Sequence, residues 1–150
     1  MKITKEWLKG KEACIEGYKW FCENYPTGTD HKELYRALQV KHKDWGYWLI
    51  VHIGGAEFGI RCAMAIYSEP TWVQWANDWL SGKDRAAEAA WAARAAGSAA
   101  WAAVEAVEAV AAWATAGSAA RAAVAAKPNI DLLAILDECE CMKAERSEKF

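Results

Sequence analysis

The sequence predicts an all-α fold, a compact multi-helix bundle with closely packed Ala-rich helices in its C-terminal half. Between residues 86 and 126, 24 of 41 residues are Ala, the residue with the highest helix propensity. Trp72, Trp75 and Trp79 repeat at i, i+3 and i+7, the spacing of an amphipathic helix. The one strand-like stretch, WLIVHI at 48–53, has no second strong strand to pair with, and an isolated strand is not stable.

The N-terminal elements follow from capping residues and turn breakers. Thr4 is a plausible N-cap of a short helix that carries Trp7 and Leu8. A second helix is predicted over 14–25, ended by the turn in YPTGTD. Either Thr29 or Asp30 then caps a third helix, which runs through Gln39 with Leu34, Leu38 and Tyr35 facing inward.

Glycine and proline divide the middle of the chain. Residues 45–53 are interpreted as a buried helix ended by Gly54-Gly55, although periodicity alone does not separate this helix from a buried strand. A further helix follows over 56–67. Thr71 is the expected N-cap of the Trp-rich helix, which ends at Gly82, and Asp84 is the expected cap of the next one.

The Ala-rich segment is too long to be one rod inside the domain. A helix of 41 residues would span about 60 Å, whereas a compact chain of this length is roughly 40 Å across. Its core motif AGSAA(W/R)AAV occurs twice, 20 residues apart, and each copy offers a Gly-Ser break, at Gly97-Ser98 or at Gly117-Ser118. A break at one of the two is expected, and the sequence does not say which.

We expect residues 1–150 to form a single domain. It comprises an aromatic-rich helical half (1–83), the Ala-rich helices (84–126), a C-terminal helix (130–142) and a charged tail (143–150). The breaker KPN at 127–129 separates the last two helical regions.

The composition argues against two classes of protein, nucleic-acid binders and membrane-spanning proteins. A net charge of −2 with 25% charged residues argues against a nucleic-acid binder. A membrane span is disfavoured because Glu105 and Glu108 sit in the middle of the longest apolar stretch. Five cysteines without a secretory signal favour reduced thiols and a cytoplasmic protein.

No specific catalytic or metal-binding constellation is found, so we expect no catalytic residues, no metal and no cofactor. His31 and His42 lie in polar context and should face solvent, whereas His52 is expected to be a satisfied core or helix-end histidine. CEC at 139–141 does not have zinc-ligand spacing. Cys14 and Cys22 are interpreted as small core residues.

The Ala-rich face allows close helix packing, and two interpretations of it stay open. It is either an internal Ala/Trp core or, in part, an exposed docking surface, of which a homodimer would be one form. Arg94 and Arg121 need partners in such an apolar setting. Glu88, Glu105 or Glu108 would supply them within the bundle, and an anionic, nucleotide-like ligand is the alternative.

Two stretches carry a family resemblance, KITKEWLKGKEACIEGYKWF at 2–21 and WANDWLSGKDRAAEAAWAARAA at 75–96. Together they resemble small Ala/Trp-rich helical proteins of phages and bacteria, some of them labelled putative immunity protein. This resemblance implies a phage or mobile-element accessory protein in the cytoplasm of a bacterial host. It would act on a host or mobile-element protein, as an anti-CRISPR-type inhibitor or an immunity protein does.

The leading hypothesis is therefore non-enzymatic, stoichiometric protein binding. The candidate contacts are the Trp and Tyr side chains that dominate interface hot spots, namely Trp45, Tyr47, Trp48 and Trp72. One alternative is a binder of a small anion in a Trp-lined pocket with Arg94 or Arg121. A second is an enzyme that uses a Cys or a His.

Overall fold

The computed structural model describes residues 1–83 and 112–147. These ranges contain eight helices, which pack as an all-α compact bundle and confirm the predicted class. The helices are α1 (Lys5–Gly10), α2 (Ile15–Asn24), α3 (His31–Lys41), α4 (Lys43–Met64), α5 (Pro70–Leu80), α6 (Ala112–Ala126), α7 (Leu132–Asp137) and α8 (Glu140–Ser147). None of the helices in these ranges is long and apolar enough to cross a membrane.

A two-stranded antiparallel sheet that the sequence did not predict ties the N-terminus to the start of α3. Strand β1 (Lys2–Ile3) pairs with β2 (Thr29–Asp30), with Ile3 opposite Thr29. The side chain of Ile3 is fully buried, with Leu8 and Phe21 in the same cluster. Apolar burial therefore holds a pairing that would be too short to persist alone.

The predicted caps of the first and third helices are confirmed. The Thr4 side chain accepts a hydrogen bond from the backbone N–H of Trp7, and the Asp30 side chain accepts one from that of Lys32. Leu34 and Leu38 of α3 are buried, as their spacing predicts.

Helix α4 is the central element, and it is interrupted where the two glycines predict an end. Gly55 has φ 60° and ψ −149°, a conformation that is essentially restricted to Gly. The chain re-enters the helix after this kink, so the two expected helices are two arms of one element. Gly54 is buried, and a Cβ there would lie 2.7 Å from Leu136 Cδ1 of α7. The Gly pair thus supplies both a bend and a close helix contact.

The expected cap of α5 at Thr71 is wrong. Glu69 is the N-cap, and its carboxylate accepts hydrogen bonds from the backbone N–H groups of Thr71 and Trp72. Pro70 occupies the first helical position, where its missing N–H leaves no hydrogen bond unmade. The predicted end of the helix is confirmed, because Gly82 follows it with φ 75°.

Helix α6 runs through Gly117-Ser118 without a break, so a break at this site is excluded. A Gly among Ala residues costs a helix only about 1 kcal/mol. Packing offsets that cost, since Ala119, Ala120 and Ala123 are buried in the core cluster that also contains Val51 of α4. The other predicted break, Gly97-Ser98, lies outside the described residues, as do the Asp84 cap and most of the Ala-rich region.

The C-terminal region holds two helices where one was predicted over 130–142. Helix α7 ends at Asp137, and α8 extends into the stretch expected to be a charged tail. Leu136 and Cys139, near the junction of the two helices, are both fully buried in the same core cluster. They are three residues apart, the spacing that brings two side chains to one face of a helix, so the junction keeps the face that the single predicted helix would have buried.

Candidate functional site

A cavity of about 530 Å³ lies between α1, α2, α3, α4 and α6, and it is partly open to solvent. Its volume is in the range typical of ligand and anchor pockets. Three of the four partner-binding candidates line it, Trp45, Tyr47 and Trp48, and so does one anion-binding candidate, Arg121. We call this space the aromatic cavity. It brings four of the predicted site residues together.

Helical spacing places the aromatic wall of the cavity. Trp45 and Trp48 are three residues apart on the first arm of α4, so they project from neighbouring turns of one face. Trp20 of α2 adds a third indole, with its ring centroid 6.2 Å from that of Trp45. All three are partly buried, which leaves part of each ring accessible.

Trp45 packs against α2 at Gly17. A Cβ at Gly17 would lie 3.6 Å from the Trp45 ring, so the indole rests directly on the backbone of α2. The His42 ring stacks on Trp45 with centroids 4.2 Å apart and planes 10° from parallel. Trp45 is thus held in one orientation before any ligand arrives.

Arg121 reaches the cavity from α6, and its partner is not one of those expected. Its Nη2 donates to Asp44 Oδ1 at 2.9 Å, and its guanidinium lies 5.3 Å from the centre of the Tyr47 ring. The expected Glu partners lie outside the described residues. The Arg121 and Asp44 side chains are 51% and 83% exposed, so solvent screens this pair and it contributes little stability.

Trp72, the fourth partner-binding candidate, does not line this cavity. Trp72 is fully buried between α4 and α5, in a separate cluster with Ile60 and Trp75. It is a core residue and has no accessible surface for a partner. Arg94 lies outside the described residues.

His52 borders the cavity and is a satisfied helical histidine, as predicted. Its Nδ1 lies 2.8 Å from the Trp48 carbonyl oxygen, and its ring stacks on Trp48 at 4.2 Å. Burial lowers the pKa of His52 below its usual 6.5, although the hydrogen bond to Trp48 acts in the opposite direction. The ring is therefore neutral at pH 7.

We expect this histidine to make the protein less stable as the pH falls from 7 through 6.5. The unfolded chain takes up a proton at His52 at a higher pH than the folded chain does, so acidification favours unfolding. Urea titrations at pH 7.5 and 5.5 would measure the difference. His52→Asn should reduce this pH dependence, and an unchanged dependence in that variant would contradict the assignment.

The expectation that His31 faces solvent is wrong. It is 3% exposed, and its Nδ1 lies 3.1 Å from the Met1 amine and 3.2 Å from Asp30 Oδ2. The pairing of β1 with β2 covers the ring, a contact that local sequence polarity does not reveal.

The thiols are dispersed. Cys14 is exposed, and its Sγ accepts a hydrogen bond from the Gly17 N–H at the start of α2, so its expected core position is wrong. Burial raises the pKa of Cys139 to about 12, whereas Cys141 is exposed. Within the described residues, no group of three or more His, Cys, Asp or Glu side chains is arranged to hold a metal ion.

Among the cavity residues that sequence reasoning missed are two carboxylates and one indole, Glu12, Asp44 and Trp20. Helical spacing could have indicated Trp20, because it lies three residues after Gly17 and therefore on the same face of α2. Glu12 and Asp44 carried no signal, since each is one carboxylate among many in a polar stretch. Only the packing of α1, α2 and α4 brings them to one opening.

Comparison with known proteins gives one match. Residues 1–58 match the model of the YdhT N-terminal domain family. This range contains α1–α3 and the first arm of α4 with its kink. The matched range includes Trp20, Trp45 and Trp48 but not Arg121. No curated protein and no solved structure matches.

Proposed function

We propose that this protein binds another protein stoichiometrically and that the aromatic cavity receives an anchor side chain of the partner. One observation carries the proposal: three Trp rings, Tyr47 and Arg121 converge on a single partly open cavity. Trp, Tyr and Arg are the residue types that contribute most of the binding free energy at protein interfaces. Core packing alone does not require them to share one accessible space.

The surroundings of the cavity support a docking role. Ile15, next to the cavity-lining Cys14, is 64% exposed, which is unusual for a large apolar side chain. The stacking of His42 on Trp45 and of His52 on Trp48 holds two rings in place. A preorganised aromatic surface loses less side-chain entropy on binding than a mobile one.

The biological setting that we propose follows from the resemblance to Ala/Trp-rich phage and bacterial proteins. In this proposal the chain acts in the bacterial cytoplasm, without enzymatic activity, as an anti-defence inhibitor or an immunity-type protein. Recovery of a bacterial defence component or toxin as the partner would support this setting. A partner of another kind would refute it and leave the docking role standing.

A small anionic ligand is the second candidate, favoured by the presence of Arg121 in the cavity wall. Asp44 already neutralises this guanidinium at 2.9 Å, so an anion would have to displace a carboxylate. We therefore rank anion binding below protein docking. If Arg121→Gln abolished ligand binding and Trp45→Ala did not, anion binding would rank above protein docking.

We expect Trp45→Ala and Trp48→Ala each to weaken partner binding at least about ten-fold, because each removes a central aromatic contact. The partner would be isolated from bacterial lysate on the immobilised protein and identified by mass spectrometry. Calorimetry with the purified partner would then give the affinity and test for a 1:1 stoichiometry.

Trp79→Ala is the matched control for both variants. Trp79 is also partly buried but belongs to the cluster around Trp72 and does not line the cavity. Thermal melts would establish that all three variants are folded at the assay temperature. Unchanged affinity in folded Trp45→Ala and Trp48→Ala would rule out the cavity as the docking site.

A further inference from the structure

The charges around the aromatic cavity do not cancel. Among the described lining residues, the acidic and basic side chains are Glu12, Asp44, His52 and Arg121. Asp44 and Arg121 neutralise each other, and His52 is uncharged at pH 7 because burial lowers its pKa. Glu12 forms no ion pair with any residue that the structure describes. Among the described lining residues, the Glu12 carboxylate is therefore the one charge without an ion-pair partner.

The backbone at Glu12 holds this carboxylate at the rim in an uncommon conformation. Its φ is 54°, the one positive φ of a non-glycine residue in the described ranges. The Glu12 N–H donates to the Lys9 carbonyl at 3.1 Å, and the Ala13 N–H donates to the Leu8 carbonyl at 3.0 Å. This is the Schellman pattern that ends a helix, in which the left-handed position is usually Gly.

A left-handed non-glycine residue costs free energy, and such residues concentrate at functional sites. The Glu12 side chain makes no hydrogen bond in the described part of the chain that would offset this cost. Lys11, the nearest preceding cation, lies over the Trp7 ring at 6.0 Å and does not itself line the cavity, although its charge helps to lower the pKa of His52 in the lining. The carboxylate is thus held at the opening and is available to a ligand.

We propose that the aromatic cavity takes a basic side chain with an apolar stem, the guanidinium of an arginine on the partner protein. This inference rests on the proposed docking function. Indole faces attract cations through the ring quadrupole, and the attraction is greater where water is excluded. A guanidinium suits apolar walls better than an ammonium because it is flat, weakly hydrated and stacks on aromatic rings. Glu12 supplies the counter-charge.

One of the protein's own arginines is held by an aromatic ring together with a carboxylate. The Arg121 guanidinium lies over the Tyr47 ring and donates to the Asp44 carboxylate. An aromatic face and a carboxylate thus hold one arginine at the border of the cavity. Loss of the Arg121 guanidinium would leave the Asp44 carboxylate without its partner and so add a negative charge to the lining. Removal of Arg121 should strengthen cation binding, the opposite of what an anion site predicts.

The test compares three probes with the same stem and different heads, which are n-butylguanidinium, 1-pentanol and pentanoate. Each is titrated into the full chain, and the indole N–H signals are followed by ¹H–¹⁵N NMR. We expect n-butylguanidinium to shift the signals of Trp20, Trp45 and Trp48 at lower concentrations than the other two probes. The buried Trp72 and Trp75 should not respond.

Two charge variants of the cavity and one control variant outside it test the role of Glu12 and Arg121. Glu12→Gln should weaken n-butylguanidinium binding about two- to five-fold, the range of a partly exposed charge contact. Glu23→Gln makes the same change in net charge at an exposed residue outside the cavity and should leave binding unchanged. Arg121→Gln should strengthen binding by a similar factor.

Several outcomes overturn the inference. Pentanol binding as tightly as the guanidinium would make the cavity an apolar anchor site, and a preference for pentanoate that is lost in Arg121→Gln would make it an anion site. No shift at the three indoles with any probe would also refute it. The docking function is judged separately, by the partner affinities of Trp45→Ala and Trp48→Ala.

Discussion

Trp72→Ala should lower the free energy of unfolding by about 3–5 kcal/mol, the range for truncating a fully buried aromatic residue. Trp72 is 0% exposed and packs with Ile60, Ala63 and Ala76, and the Tyr67 ring meets it edge-on at 5.5 Å. The loss is a large share of the 5–15 kcal/mol typical of a domain. Urea denaturation followed by circular dichroism at 222 nm would measure it.

Trp72→Phe is the matched control. The Trp72 Nε1 is buried and has no hydrogen-bond partner in the described part of the structure. Phe therefore removes an unsatisfied donor while keeping most of the ring, and we expect it to cost clearly less than Ala. A loss below about 1 kcal/mol in Trp72→Ala would contradict its position in the core. It would return this residue to the partner-binding candidates.

Gly55→Val should destabilise the protein by about 3 kcal/mol, the upper part of the range for a residue forced into a sparsely populated backbone conformation. Gly55 has φ 60° and ψ −149°, and a Cβ there would meet nothing within 4 Å. The cost therefore comes from the backbone itself and not from a steric clash with a neighbour. A β-branched side chain is especially unfavourable at positive φ.

Gly10→Ala separates this backbone effect from a general effect of replacing glycine. A Cβ at Gly10 also meets nothing within 4 Å, but its φ is not positive and it lies in α1. We expect Gly10→Ala to be neutral or to stabilise by up to about 1 kcal/mol, because Ala reduces the entropy of the unfolded chain. If both variants changed stability equally, the kink in α4 would not depend on Gly55.

The kink also matters for the site. Trp45 and Trp48 lie before Gly55, and Phe58, which is fully buried, lies after it. Straightening α4 would move the two indoles relative to the core that Phe58 anchors. Folded Gly55→Val protein should therefore show altered indole signals at Trp45 and Trp48 in the NMR experiment.

Signals within a few residues were enough to predict most of the helices. Thr4 and Asp30 accept hydrogen bonds from backbone N–H groups two or three positions away, so their capping roles are local chemistry. Gly55 and Gly82 act through their own backbone conformations. Such features depend little on distant parts of the chain, which is why the sequence alone indicated them.

The errors arose where two local solutions had similar free energies. Thr71 is the better N-cap by residue type, yet Glu69 caps α5 because Pro70 fits the first helical position. Gly117-Ser118 resembles a break, yet burial of the neighbouring Ala119 and Ala120 keeps the helix continuous. A difference of about 1 kcal/mol in local preference is easily outweighed by tertiary packing.

The sequence by itself determined that this protein is all-α, where most of its helices begin and end, and which aromatic residues were candidates for a site. The tertiary structure alone decided which of those candidates meet. It placed Trp72 in the core and joined Trp45 and Trp48 to Trp20. It also paired Arg121 with Asp44, 77 positions away. Helix propensity and capping act over one or two turns, whereas the convergence of side chains on a cavity depends on how whole helices pack.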